Sequence, residues 1–557
     1  MAAMASILQH PLNAKDEVVV RKTAHFTPSY WGDFFINFIS KSDPCTDKRE
    51  NELKEEVKKM FFTHSDEPLQ ELMSLIDAIQ RLGLGYHFEE QIDVALKRIY
   101  DASVDYDNLY FFSLLFRLLR QAGYNISSDC FNKFKNEDGK FKESLSGDAR
   151  GLLSMYEAAY LGIHGESILD EAIAFARGHL KSMVGQVSAP LARDIELALD
   201  MPTRRSLVRI RTKQYISVYE MDDQRNDVLL ELAKLDYNRV QRLHQRELRE
   251  VSAWWKETGL AQKLSFARDR VVECYVWALG TYHEPKYSRG RIISAKVSTL
   301  TALLDDTYDS YGTFEELQPF NDMIQRWDLG TLHEVPEYMQ VFIVALFDTF
   351  KEFEEELKRE GNAYRVDYLR ESMKTLCKAY YQELLWIRHR YIPNFQEHLQ
   401  VSAISCTYPI LHCLSFVGMD HIATKEAFDW VIKVPQILWS SSVICRFMDD
   451  INTNKREQEN DYMPTSIQCY AIEHSLSEEE VRLKIREVLV EDEWKKMNEE
   501  LLLRPDQGIP LALYMPAFNL TCMMVEGYKH SDGFNNPEVD LKDKVYLMLV
   551  DPVVIQG

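Results

Sequence analysis

Apolar residues recur at spacings of three and four along most of this chain, and that period dictates helices. Asn51–Met60, Leu69–Leu82, Leu207–Val218, Ala267–Leu279, Ile292–Leu304 and Tyr338–Leu357 all carry it. Strand-like alternation next to a hairpin signal is nearly missing, since Asp138-Gly139 and Asp532-Gly533 sit in polar stretches. Pro285, Pro336, Pro393 and Pro464 fall where helices should end. The spacing therefore predicts an all-α protein, and with no fixed-period repeat it is not a solenoid. At 557 residues the chain outgrows a single core, which stops enlarging near ~250–300 residues. The polar stretch Glu220–Asp227 interrupts the helical series, and a domain boundary is expected near Asp236, giving units 1–235 and 236–557.

Charge and cysteine usage exclude several classes. A formal charge of −22 argues against a nucleic-acid partner, because phosphate binding on that scale needs net basic surface. No CxxC pair occurs, and Cys274, Cys406, Cys413 and Cys445 sit in apolar stretches, reading as small buried hydrophobes in a reducing compartment. No run of 18 apolar residues is evident, so no membrane span is expected. The first twenty residues lack the basic start and apolar core of a signal peptide, and Asp16 and Glu17 argue against a transit peptide, so a cytoplasmic location is expected.

Two acidic constellations stand out in the second half. Leu303-Leu304-Asp305-Asp306-Thr307-Tyr308-Asp309 closes a long apolar pattern, and on a helix Asp305 and Asp309 leave the same face. Arg446-Phe447-Met448-Asp449-Asp450-Ile451-Asn452-Thr453-Asn454-Lys455-Arg456-Glu457 places Asp449, Thr453 and Glu457 at steps of four, again on one face. Such oxygen sets suit a hard cation such as Mg²⁺. Either motif alone also fits a solvated acidic helix end. Two that each close an apolar helix point to a shared acidic rim over a greasy cavity.

Arg268, Arg270 and Arg446 supply guanidinium groups that clamp phosphate oxygens, although each also suits a surface ion pair. Trp277, Tyr408, Tyr528 and Phe534 offer ring faces, which attract a carbocation by up to ~2 kcal/mol or more when desolvated. None of the 15 His has a Glu three residues before it, against a di-iron bundle, and there is no HExxH, P-loop or GxGxxG.

Together these residues resemble the paired metal motifs of plant class I terpene synthases. The likeness spans nearly the whole chain. Arg21-Lys22-Thr23-Ala24-His25-Phe26-Thr27-Pro28-Ser29-Tyr30-Trp31 is similar to the family's Arg-Arg/Pro–x8–Trp segment, Leu230–Asn238 to its interdomain passage, Arg268-Asp269-Arg270 to its RxR segment, and Gln325-Arg326-Trp327-Asp328 to the stretch after its first motif. The resemblance implies an N-terminal helical barrel without chemistry of its own and a C-terminal bundle carrying the active site.

Carried over, Asp305 and Asp309 bind two of three Mg²⁺ ions, with Asp306 in support, and Asp449, Thr453 and Glu457 bind the third; Mn²⁺ is a possible substitute. Arg268 and Arg446 hold the diphosphate, and Arg270 closes a loop over it. Trp277, Tyr408, Tyr528, Asp532 and Phe534 line the pocket together with Cys445 and the helix break Ser405-Cys406-Thr407. No DxDD motif stands in an earlier domain; Glu220-Met221-Asp222-Asp223 is only a lookalike, so the reaction starts by ionisation. A monomeric sesquiterpene synthase acting on farnesyl diphosphate is expected. The alternatives are geranyl diphosphate as substrate, a chain-elongating transferase, or a non-catalytic scaffold. Four departures from the family pattern bear on the site: Glu459 and Asn460 in place of basic residues, Pro409 in the helix break, Phe534 where Tyr is frequent, and Cys522 where Arg is frequent.

Overall fold

The computed structural model describes residues 26–38, 46–63, 68–460, 463–506 and 508–555, without the side chains of residues 46, 47, 63 and 454–460. Among them there are helices and no strands, the one β-type pairing being an isolated bridge between Lys135 and Phe141. The expected helices form close to where the period placed them, as Thr46–Thr63, Leu69–Arg81, Val208–Glu220, Ser288–Asp306 and Glu337–Lys358. One starts late. Periodicity begins at Ala267, yet the helix runs Val271–Thr281, after Arg270 at φ −130°, and the Arg268 N–H donates to the Asp306 carboxylate, 2.6 Å away.

Burial divides the molecule into two apolar cores, each built by amphipathic helices that hide one stripe. The first gathers residues from Leu53 to Tyr237, including Phe116, Tyr156 and Leu180. The second runs from Leu248 to Leu549 and also takes Trp31, Phe35, Leu207 and Ile210 from the N-terminal half. The position near Asp236 lies inside a single helix, Asp227–Thr258. Leu229, Leu232 and Tyr237 on it pack into the first core, Leu248, Val251 and Trp255 into the second. Asn226 caps its start by accepting from the Val228 and Leu229 N–H groups, and Gly259, at φ +63°, ends it.

The C-terminal segment docks along this helix. A helix end leaves carbonyls without partners, and here Asn238, Gln241 and Gln245, spaced on one face, donate to Val553 O at 2.8 Å, Met548 O at 3.0 Å and Leu549 O at 2.7 Å.

The first core encloses a cavity of about 440 Å³. Its buried charges meet each other. Arg117 pairs with Asp77, Arg81 with Asp194 at 2.5 Å, and Arg211 lies 3.9 Å from Glu157. Glu157 also accepts from the Thr203 N–H and hydroxyl at 2.9 and 2.8 Å. A further group in this half, Glu50, His87 and Asp236, brings metal-capable atoms within 4.8 Å, although no such constellation stands out in the sequence. Cations and a hydroxyl already hold its oxygens: Arg239 reaches both carboxylates, and Tyr86 donates to Asp236 at 2.6 Å.

Phe395–Val417 is long and apolar enough by composition to cross a membrane, although no 18-residue apolar run marks it in the sequence. It is broken into two helices, Phe395–Ser405 and Tyr408–Val417, and lines the second cavity. At the break Thr407 adopts φ +72°, a left-handed conformation that costs a β-branched residue roughly 1–3 kcal/mol.

Candidate active site

The second core opens into a cavity of about 190 Å³ that collects most of the residues singled out in the sequence. Asp305, Asp309, Arg268, Arg446 and Asp449 line it, as do Trp277, Thr407, Tyr408, Cys445, Tyr528 and Phe534. The first acidic motif is not a plain α-helix: Ser288–Asp306 widens into a π-turn at Thr307–Tyr311, which carries Asp309. Both carboxylates reach the cavity nonetheless.

The two motifs are built alike. In each, an arginine spans the first two aspartates. Arg268 meets Asp305 through a terminal nitrogen and Asp306 through Nε at 2.8 Å; Arg446 meets Asp449 and, at 2.6 Å, Asp450 in the same way. The second aspartates, Asp306 and Asp450, are each 1% exposed and accept one backbone N–H apiece, from Arg268 and Ser466, both at 2.6 Å. They anchor the arginines from behind, and the first aspartates face the cavity. Burial raises the Asp306 carboxyl to about 6 against the pull of Arg268. The Arg268 guanidinium, despite its burial, is held above its usual value by Asp306 and Asp305.

Four expected residues stand back from the cavity. Arg270 does not face it, a correction to its expected hold on substrate. Its side chain, 1% exposed, donates to the carbonyls of Phe534 and Asn535 and to Thr27. Arg270 thus ties the N-terminal segment and the turn after Tyr528 to the start of Val271–Thr281. Asp532 holds Asn535, accepting from its backbone N–H at 2.9 Å and from its side-chain amide, and Asn535 in turn accepts from Arg268 at 3.0 Å. Asp532 therefore acts on the cavity through Asn535. Thr453 is buried below the lining, its hydroxyl donating to the Asp449 carbonyl at 3.0 Å. Asp306 is the fourth. The Glu457 side chain and the Arg21–His25 part of the N-terminal segment lie outside the described residues.

Other lining residues escape sequence reading. Glu383 and Tyr380, on helix Tyr364–His389, face Asp305 and Asp309 across the cavity. Ser405 Oγ donates to Glu383 at 2.5 Å, and the Tyr380 hydroxyl is held protonated by burial and then by the two aspartates. A lone acid on an ordinary amphipathic helix gives no local signal.

The deeper wall is aromatic. Trp277 and Phe534 meet edge to face, 5.3 Å between centroids. Tyr408 fixes its ring by donating to the Leu520 carbonyl at 3.0 Å. Burial, followed by Asp532 and Asp449, keeps the Tyr528 phenol protonated. Among the described residues Asp305, Asp309, Glu383 and Asp449 bring carboxylate oxygens to the cavity, a set that fits a hard divalent cation.

Comparison with known proteins agrees with this geometry. The family model described as "Terpene synthase, N-terminal domain" matches residues 30–199, and that described as "Terpene synthase family, metal binding domain" matches 256–496. The (−)-germacrene D synthase of Vitis vinifera is 44% identical over 99% of each chain, and the beta-cubebene synthase of Magnolia grandiflora 46% identical over 96% of this chain and 97% of that one. Among solved structures, limonene synthase with 2-fluorolinalyl diphosphate superposes with TM-score 0.90 at 34% identity, over 96% of this chain and all of that one. Isoprene synthase of grey poplar, in complex with three Mg²⁺ ions and dimethylallyl-S-thiolodiphosphate, does so with TM-score 0.84 at 33% identity, over 94% and 99%.

Proposed function

The chain belongs to the terpene synthase family, and we propose that it is a sesquiterpene synthase that ionises farnesyl diphosphate and cyclises the resulting cation. The observation that carries this reading is the union of an acidic, arginine-bearing rim and an aromatic wall in one cavity. Asp305, Asp309 and Asp449, with Thr453 and Glu457 on the same helix as Asp449 and Glu383 on Tyr364–His389, would hold Mg²⁺ ions, three by analogy with the isoprene synthase complex. Such ions, when bound, offset negative charge developing on a departing diphosphate.

The chain's own groups do the rest. Arg268 and Arg446 sit at the rim within reach of diphosphate oxygens, placed there by Asp306 and Asp450. Arg270 and Asp532 hold the turn that brings Phe534 and Asn535 to the cavity wall. Trp277, Tyr408, Tyr528 and Phe534 present ring faces to the allylic cation, and the buried Tyr phenols stay protonated and neutral. The names of full-length relatives at 44–46% identity favour a C15 substrate.

Purified protein incubated with farnesyl diphosphate and MgCl₂, followed by gas chromatography–mass spectrometry, tests the reading. A cyclic C15 hydrocarbon or alcohol is expected. A longer prenyl diphosphate, or turnover of geranyl diphosphate alone, overturns it.

A further inference from the structure

Three sulfur atoms from three separate stretches of chain meet in the cavity. Cys406 stands at the helix break, Cys445 on helix Gln436–Asn460 and Met524 on helix Leu511–Gly527, and all three line the void. Cys445 Sγ lies 3.8 Å from Met524 Sδ and 3.8 Å from the Cys406 carbonyl, and the Cys406 thiol, its neighbour in the lining, points to the carbonyls of Ala403 and Ser442 at 3.3 and 3.5 Å. Neither cysteine is in a disulfide.

Read alone, each is the small or flexible hydrophobe that cores favour. Core packing does not require three sulfurs to share one accessible hollow, however, and the separation is informative. Two sulfurs 3.8 Å apart touch without a bond between them, near enough for one ion to reach both. Soft sulfur selects cations that the oxygen rim does not favour.

We propose that Cys406, Cys445 and Met524 form a thiophilic site that takes one soft divalent cation such as Cd²⁺. Binding forms two metal–thiolate bonds while both thiol protons leave to solvent, and the Met524 thioether donates a lone pair. No electrons are transferred. The +2 ion and two thiolates sum to zero, which suits a wall where net charge would be costly. Resting on the sesquiterpene synthase reading, the ion occupies space the hydrocarbon chain needs, so soft metal blocks turnover even at saturating Mg²⁺.

The test titrates Cd²⁺ into the full-length protein at saturating Mg²⁺ and without substrate, following thiolate-to-metal charge-transfer absorption. One cavity equivalent is expected. It weakens about tenfold or more in C406S and in C445S, less in M524L, and not at all in C413S, whose thiol is buried outside the cavity. Wild-type affinity in both C406S and C445S overturns the proposal. X-ray absorption at the cadmium edge of the wild-type protein serves if the variants fold poorly: a sulfur-containing shell supports the site, and an oxygen-only shell, placing the ion on the rim, sinks it. Neither readout depends on turnover, so failure here is distinguishable from failure of the synthase reading.

Discussion

The molecule holds two charged cavities, and they solve the burial of charge in opposite ways. In the first core Arg81, Arg117 and Arg211 each meet one acid, Asp194, Asp77 and Glu157, while Arg150, Asp222 and Asp223 also stand at that cavity. The second cavity and its immediate backing bring Asp305, Asp306, Asp309, Glu383, Asp449 and Asp450 against Arg268 and Arg446 among the described residues. A matched set is a structural solution, since ion pairs and hydrogen bonds offset desolvation within the protein itself. A surplus of one sign is an unfinished one that calls for counter-charge from outside. The larger of the two cavities is the one in which each of these arginines has an acid of its own. Size therefore does not mark the active site; acids crowded onto shared arginines beside an aromatic wall do.

Four substitutions press on that contrast. Asp305→Ala should lower turnover by about a thousandfold or more with the helical circular-dichroism signal near wild type, because the surplus serves chemistry and not folding. Product formation near wild type would break the comparison at its stronger end. Asp77→Ala should do the reverse. It strands Arg117 without its partner and should cost ~3–5 kcal/mol in denaturant unfolding, with turnover per folded molecule unchanged.

Glu273 sharpens the contrast from a third direction, since its carboxylate is fully buried and forms no ion pair among the described residues. Burial raises its pKa to about 7, opposed by its own backbone N–H and then by Arg270. The folded state therefore binds the proton more tightly than the unfolded state does. Its stabilisation is complete below about pH 4.5 and lost as pH rises through about 7, a swing of order 3 kcal/mol. Glu273→Gln should flatten the stability profile over that window, and an unchanged slope in chemical denaturation would show the carboxyl to be ionised throughout. The smallest effect belongs to the wall. Trp277→Leu should shift the product distribution and slow turnover about tenfold, with little change in melting temperature; a lower melting temperature with unaltered products would make Trp277 ordinary packing.

Much of this was legible before any fold was known. Asp305, Asp309 and Asp449 sit in short contiguous motifs whose helical spacing announces a shared face. Helical class followed from periodicity because nearly every helix here hides one stripe. Legibility failed where partners are distant in sequence. Arg270 reads as a phosphate ligand, yet its acceptors at Thr27 and Phe534 lie more than two hundred residues away, and nothing local encodes them. Glu383 sits in the cavity wall, accepting from Ser405 at the helix break, and nothing in its own helix marks it. Cys406 and Cys445 read as core hydrophobes, for local sequence cannot distinguish a thiol facing packed side chains from one facing a void. The Arg268 N–H likewise finds its acceptor on an aspartate 38 residues onward.

The unbroken helix Asp227–Thr258 has a consequence for anyone wishing to transplant the chemistry. At 1.5 Å per residue its 32 residues make a rod of about 48 Å, one end embedded in each half and its flank gripping the chain's tail. A chimera joined at Asp236 would cut that rod and leave both recipients with an open seam, whereas one joined near Asn226 would carry the whole spine, tail dock included, into its new host.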